Sequence, residues 1–395
     1  MLLESEITGY DVLAVVCMGL WSYFISFHLV ALGYGKYILY RKSQSEPEEL
    51  ADVPGVSILK PLVGGDANLS HNLASYFELT YSRYELFFCI QNPEDPAIEI
   101  VNLLIKQYPN VKARLFIETV DTCLNPKINN LLPGYAAAQY DLLWITDSNI
   151  KVTPNTLTDM VARMTENVGM VHQLPYTTHI DSLAGYLDKI HFGGAHGRVY
   201  LTTNACGVNC ASGMSCLFRK HLLDEVGGLE TFGCYIAEDF FLAKSIYDRG
   251  WKFALGNEPC FQNPGKRSVQ NYVARMIRWS RLRMAMIPLI SAFEPISECI
   301  VCGLIGAYGI NHFAKIGFGT IYGIHIGCWF LFDMMLLKLI QPTPIEVSWK
   351  IPLMWIFREC ISIWIYIRAL SSRTVIWKNQ KYRVLYGGKA EPYVK

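Results

Sequence analysis

Three groups of side chains in this chain have the types and spacing for chemistry: Asp147-Ser148, Glu238-Asp239 and the run Arg275-Met276-Ile277-Arg278-Trp279. Carboxylates hold a divalent metal or accept a proton, and arginine forks suit phosphate oxygens. Asp147 follows the apolar run Leu142-Leu143-Trp144-Ile145-Thr146. A carboxylate at the C-terminal end of a buried strand stands where open α/β sheets place ligands. With a second oxygen ligand nearby it is suited to hold Mg2+ or Mn2+ against a nucleotide diphosphate. A plain Asp-Ser-Asn turn is the equal alternative from this motif alone.

Glu238 and Asp239 stand at the start of a helix-like stretch, where acids also favour the helix dipole. Their chemical reading is that one carboxylate takes the proton of an attacking hydroxyl. Arg275 and Arg278, three apart, share a helix face, and Trp279 adds a flat wall for a sugar or lipid. A basic patch meeting anionic headgroups is the competing account, because apolar sequence follows. Lys127 lies just inside a helix start, Asn125-Pro126-Lys127, where amides and an ammonium together meet a phosphate or ribose. His196, between Gly193-Gly194 and Gly197-Arg198, reads as a histidine in a flexible loop.

The elements that must position these residues alternate in α/β fashion. Strand-like runs fall at Val56–Leu59, Leu86–Ile90, Val111–Ile117, Leu142–Thr146, Gly169–Leu174 and Ser212–Phe218. Helical stretches fall at Ala97–Tyr108, Pro126–Gln139 and Pro154–Glu166, with Pro126 and Pro154 suited to first turns. The Gx4GK[ST], GxGxxG, HExxH and GxSxG signatures do not occur, which argues against nucleotide hydrolysis, dinucleotide redox chemistry, zinc proteolysis and serine hydrolysis.

Apolar sequence flanks this region. Val12 to Leu32 has membrane-spanning length, with Glu4, Glu6 and Asp11 before it and Lys36, Arg41 and Lys42 after it. The positive-inside rule predicts a signal anchor with the following residues in the cytosol. Ile316–Ile340 and Ile351–Leu370 are further candidate spans, although they carry His325, Asp333, Lys338, Arg358, Glu359 and Arg368. Ile287–Ile310, interrupted by Glu294, Pro295 and Glu298, reads as interfacial or re-entrant. Two spans then return the basic tail to the cytosol. The expected organisation is an anchor (1–35), a linker (36–54), a catalytic domain (55–285), membrane-associated helices (286–372) and a cytosolic tail (373–395). Gln341-Pro342-Thr343-Pro344 marks a loop.

Of the 395 residues, 51% are hydrophobic and 17% charged, lean for a wholly soluble protein. A formal charge of +1 provides no field to gather nucleic acid. The 12 cysteines are scattered, which suits reduced thiols. Cys299 and Cys302 read as small buried side chains on a helix.

Taken in order, Asp147, Asp239 and Arg275-xx-Arg278-Trp279 resemble the processive-type inverting glycosyltransferases, with their aspartate series followed by (Q/R)xxRW. The closer resemblance is to the ceramide glucosyltransferase family. It is carried by Pro54 to Leu62, Asn125 to Tyr135, Leu157 to Met160, Ser212 to Cys216, Tyr235 to Asp239 and Arg275 to Trp279.

The resemblance implies a GT-A fold (a Rossmann-like mixed sheet) with flanking transmembrane and interfacial helices. It also implies UDP-glucose as donor, ceramide as acceptor, a divalent metal, and a multi-pass Golgi membrane location with the site facing the cytosol. A homo-oligomer is compatible with it. By resemblance, Asp147 is the donor and metal aspartate, Asp239 the base with Glu238 beside it, and Arg275, Arg278 and Trp279 the diphosphate- and acceptor-side cluster. His196 matches a family histidine tied to donor binding.

Two positions depart from the family. Its first aspartate follows a strand ending in Cys-x-Gln, and here Cys89-Ile90-Gln91 is followed by Asn92. Asparagine keeps an acceptor for uracil or ribose but loses the charge, which costs about 1.5–3 kcal/mol where that charge is used. Glu94 or Asp95 are the available substitutes. Asn149 stands where the family tends to glycine. Alternative expectations are therefore another lipid or polysaccharide acceptor, or a weakly active or inactive paralogue that binds a partner.

Overall fold

The computed structural model describes residues 7–41, 53–178, 180, 182–208, 210–341, 348–377 and 380–393. Most of the expected linker, Pro342 to Pro344 of the expected loop, and Lys378 of the tail lie outside the described residues.

A long helix, α1 (Gly9–Ile38), is capped by Thr8. The chain continues as β1 (Val56–Pro61), α2 (Leu69–Phe77), β2 (Tyr84–Ile90), α3 (Ala97–Gln107), β3 (Ala113–Ile117) and α4 (Pro126–Ala137). Next come β4 (Leu142–Thr146), β5 (Ile150–Lys151), α5 (Thr156–Ala162), β6 (Val168–His172) and β7 (Pro175–Thr177). α6 (Leu183–His191), a π-helical turn (Phe192–His196) and α7 (Gly197–Ala205) precede β8 (Ser215–Arg219), α8 (Lys220–Asp224) and a 3-10 turn (Leu229–Phe232). α9 (Glu238–Tyr247), β9 (Lys252–Leu255), β10 (Cys260–Gln262) and α10 (Val269–Met286) complete the central region. The remaining elements are α11 (Pro288–Ser291), α12 (Cys299–Ala314), α13 (Phe318–Ile340), α14 (Lys350–Leu370), β11 (Thr374–Trp377), β12 (Gln380–Val384) and β13 (Ala390–Pro392).

The main sheet has the order β3-β2-β1-β4-β8-β6-β9. β1 pairs in parallel with β2 and β4, while β8 runs antiparallel to both β4 and β6. Strands covered on both faces read as near-continuous apolar runs, which is why the pattern was visible. Leu142 and Trp144 of β4 enter a core on one face with Tyr76 and Val101, whereas Leu143 and Ile145 enter a second core with Ile128 and Ile246 on the other. The expected strands and helices are present with shifted ends. Thr156 begins α5 after Asn155, so Pro154 precedes the helix instead of opening it.

The membrane-type segments pack against α1 and against the sheet domain. α12 runs antiparallel to α1: an ideal Cβ on Gly306 would fall 2.2 Å from Trp21 Cδ1, and one on Gly309 would fall 2.7 Å from Ala14 O. α13 runs parallel to α1, with Trp21 bonded to His325 at 3.0 Å and Tyr40 bonded to Ile340 O at 2.5 Å. The segment around Glu294 and Glu298 is a polar turn before α12. Its carboxylates meet Arg283 at 2.6 Å and Arg358 at 2.8 Å. α14 packs against α6 and α10, with Ile365 buried beside Leu187 and Met276. Its opposite face leaves Leu353, Ile356, Trp364 and Ile367 exposed.

The buried charges inside these helices meet protein partners. Asp333 accepts from Arg198 at 3.3 Å and Trp355 at 2.9 Å, and lies 3.0 Å from His28. This buried group ties α1, α7, α13 and α14 together, as the cost of an unpaired charge requires. Cys299 and Cys302 are buried and unbridged on α12.

Because Gly306 sits against the Trp21 ring, a Gly306→Leu variant overpacks the α1–α12 seam at a cost of about 1–3 kcal/mol. The expected result is a lower unfolding midpoint in detergent than for Gly323→Leu, whose Cβ would meet nothing within 4 Å. Equal midpoints would contradict the close seam.

Candidate active site

The C-terminal ends of β1, β2 and β4 converge on one edge of the sheet. Asp147 follows β4 and its amide donates to Met214 O at 3.0 Å, which sets the turn against the segment before β8. Lys60, fully buried near the end of β1, donates to Asp147 O at 2.8 Å and lies 3.8 Å from the Tyr76 ring centroid. Burial lowers the Lys60 ammonium pKa well below its usual range, against the pull of Asp147. Lys60 was not singled out in the sequence, because a lysine in a strand gives no sign of where its tip lies.

Lys127 joins the two acidic motifs. Its Nζ is 3.0 Å from Asp147 Oδ1 and 3.1 Å from Glu238 Oε1. The residue is placed by the first turn of α4, where the Asn125 side chain accepts from the amides of Lys127 and Ile128. Asn125 Nδ2 also donates to Glu238 Oε2 at 2.9 Å. Burial works against the Lys127 charge, yet Asp147, Glu238 and Asp239 outweigh it and hold the ammonium well above its ordinary pKa. Glu238 is shifted up by burial, with Lys127 opposing.

The two adjacent acids therefore differ. Both Glu238 oxygens are engaged by Lys127 and Asn125, and the residue is 7% exposed. Asp239 is half-buried, and its oxygens accept from the amides of Gly213 at 2.8 Å and Phe240 at 2.9 Å. Carboxylate oxygens carry further lone pairs, so Asp239 is oriented without being saturated. A small cavity is lined by Lys127, Gly213, Glu238 and Asp239, among others.

The arginine cluster forms a second group on α10. Arg275 is ion-paired with the buried Asp188 of α6, and Arg267 lies 3.5 Å from the same carboxylate. The Arg275 guanidinium also lies 5.1 Å from the Trp279 ring centroid. Burial, then Arg275 and Arg267, push the Arg278 guanidinium pKa down from its usual value. Three arginines against one aspartate leave an excess of positive charge suited to a diphosphate. Asp188 and Arg267 escaped the sequence reading, because neither falls in a motif.

His196 is not in a loop. It belongs to the π-helical turn between α6 and α7, stacked on Tyr200 with centroids 5.3 Å apart and near Phe192. Phe192 in turn lies 6.1 Å from Trp279, so His196 and Trp279 share one aromatic wall. The glycines of Phe192-Gly193-Gly194 mark close packing: an ideal Cβ on Gly193 would lie 2.2 Å from Leu337. Burial moves His196 down to about 4, so the ring is neutral at physiological pH.

Asn92 and Asp95 follow β2 at the same sheet edge. Exposed Asn92 accepts from the Glu94 amide at 3.0 Å. Asp95 is buried and accepts from the amides of Gly64 at 2.8 Å and Ala97 at 2.9 Å, so it clamps two loops.

The Rossmann-like mixed sheet with carboxylates at its C-terminal edge is a GT-A fold. Residues 23–390 match glycosyl transferase family 21, and the chain belongs to that family. Ceramide glucosyltransferase 1 of Caenorhabditis elegans is 37% identical over 390 residues, covering 98% of this chain and 83% of that protein. The ceramide glucosyltransferase of Komagataella phaffii is 28% identical, covering 95% of this chain and 91% of that protein. The fold is shared with the mannosyltransferase PcManGT of Pyrobaculum calidifontis, solved with GDP-Man and Mn2+. Its TM-score is 0.54 at 17% identity, over 87% of this chain and 99% of that one.

Lys127→Met would strip the shared cation from Asp147 and Glu238. Removing one partner of a buried pair costs about 3–5 kcal/mol. The folded pKa of Glu238, already raised, would rise further, so the penalty is small near pH 4.5 and grows as pH rises towards the new value. Thermal unfolding at pH 5 and pH 8 should show a larger loss at pH 8. A pH-independent loss would contradict the pairing.

Proposed function

We propose that the protein transfers glucose from UDP-glucose to the primary hydroxyl of ceramide, with inversion, giving β-glucosylceramide. The observation that carries this reading is the Lys127 bridge, which brings the donor-side Asp147 and the acceptor-side Glu238-Asp239 pair into one site. The names of the family-21 relatives supply the sugar and the lipid.

In this mechanism Asp239 is the base. The Gly213 and Phe240 amides orient its carboxylate, which takes the proton as the hydroxyl oxygen attacks the anomeric carbon opposite UDP. Glu238 fixes Lys127 and Asn125 and acts through them. Arg275 and Arg278 meet the diphosphate, Trp279 and His196 form the wall beside it, and Asn92 lies at the nucleoside end.

Among the described residues, no group of three His, Cys, Asp or Glu side chains is placed to hold a metal alone. The donor set is one carboxylate, Asp147, whose Oδ1 is taken by Lys127. That set suits Mg2+ or Mn2+, which keep waters and take phosphate oxygens. When bound there, the ion would neutralise charge on the UDP leaving group.

α1 and α13 are each long and apolar enough to cross a membrane. In our reading α1, α12 and α13 cross, and α14 lies on the cytosolic surface with its apolar face in lipid. Lys36 and Arg41 after α1, and Arg373, Lys381 and Arg383 after α14, then share the cytosolic side. A Golgi membrane fits this arrangement. The water-soluble donor arrives from the cytosol and the acceptor from the bilayer.

The test is glucosylceramide formation by the purified chain in lipid, with and without chelator. Asp239→Asn is expected to lower turnover about a hundredfold or more while UDP binding stays within about twofold. Wild-type turnover in the variant would remove Asp239 from the role. UDP binding without any product would favour a non-catalytic paralogue.

A further inference from the structure

The segment that delivers the two adjacent acids to the site is held by the far end of the chain. Residues 234–237 have no helix or strand of their own, and they join the 3-10 turn to α9. On the inner side, Asn125 Nδ2 donates to Tyr235 O at 2.7 Å. On the outer side, the Ala390 amide donates to Cys234 O at 2.9 Å, and Tyr235 forms an antiparallel bridge with Lys389. The strand β13 thus closes the open edge of the active-site loop.

The same C-terminal sheet is bonded to α10. Arg281 Nη1 donates to Thr374 O at 2.6 Å, and the Gly387 amide donates to Ala285 O at 3.0 Å. Ile236 of the loop and Leu282 of α10 are buried in one cluster with Val375, Tyr382 and Val384 of the sheet. Gly388, at φ 85°, turns the chain where an ideal Cβ would lie 2.5 Å from Phe241 Cζ, and Phe241 stacks on Tyr235 with centroids 3.7 Å apart. One small sheet therefore grips both the base-bearing loop and the helix that carries the arginines.

We propose that this C-terminal sheet is a positioning element of the active site, holding Asp239 in register with the Arg275–Trp279 face of α10 through the Ala390–Cys234 and Lys389–Tyr235 pairing. A loop bonded on one side alone is free to rotate about Asn125, and Asp239 then leaves its Gly213 amide. Misplacement on that scale lowers the chemical step and spares donor binding. The inference rests on the reading of Asp239 as base.

The experiment uses the full chain. Ala390→Pro removes the amide donor, and Ala390→Gly keeps it. Ala390→Pro is expected to lower kcat about tenfold with KM for UDP-glucose within about twofold, while Ala390→Gly stays near wild type. Unchanged kcat in Ala390→Pro would overturn the proposal. So would equal losses in the two variants, or a fall in donor affinity together with kcat, because these are the marks of general destabilisation. Should Ala390→Pro fail to fold, Val375→Ala loosens the buried cluster that holds the paired strand in place. A severalfold lower kcat well below its unfolding temperature then supports the proposal, and unchanged kcat overturns it. Asp239→Asn run alongside separates the two readings. If it stays active, the base assignment fails; if it is inactive while Ala390→Pro is fully active, only the positioning role fails.

Discussion

One ammonium group holds this site together. Two carboxylates ninety-one positions apart in the sequence, Asp147 after β4 and Glu238 at the start of α9, would repel each other in a partly buried cleft without a cation between them. Lys127 supplies it, at 3.0 and 3.1 Å. Much of the surrounding structure is arranged to put that nitrogen there. Pro126 and the Asn125 cap begin α4 at the right residue, and β4 ends one residue before Asp147. Gly213, lacking a side chain, lets the Asp239 carboxylate approach its amide.

The second arrangement is a division of labour between neighbouring acids. Glu238 spends its oxygens on Lys127 and Asn125, whereas Asp239 keeps accepting capacity at the cleft. A similar logic recurs on α10, where Asp188 absorbs part of the charge of Arg275 and Arg267 and leaves a positive surplus. Both sites use buried counterions to fix the direction of long, otherwise mobile side chains. The membrane-type helices are attached by the same means, through Asp333 with Arg198, His28 and Trp355.

Much of the sheet domain was legible in the chain because its strands are covered on both faces and its helices are punctuated by proline and asparagine. Val56 to Leu59, Leu86 to Ile90 and Leu142 to Thr146 are strands as their apolar runs require. The short strands β5, β7, β9 and β10 were not legible, since two to four residues carry too little periodicity. The loop expected at His196 is a helical turn; the three glycines around it, Gly193, Gly194 and Gly197, look like a flexible segment in the sequence. They are instead the small residues that allow a helical turn to pack against Leu337 and Ile340 of α13.

By itself the sequence determined which side chains could do chemistry, since residue type and local order are enough to mark Asp147, Glu238-Asp239, Lys127 and the arginine–tryptophan run. It also determined that apolar helices flank an α/β region, because hydropathy is a property of composition. Only the tertiary structure decided that Lys127 bridges the acids, that Asp188 balances the arginines, that α12 pairs with α1 while α14 lies on α6 and α10, and that β13 closes the edge of the Cys234 segment. Those contacts join residues tens to hundreds of positions apart, and their energies depend on distance and burial, which no local pattern of residues encodes.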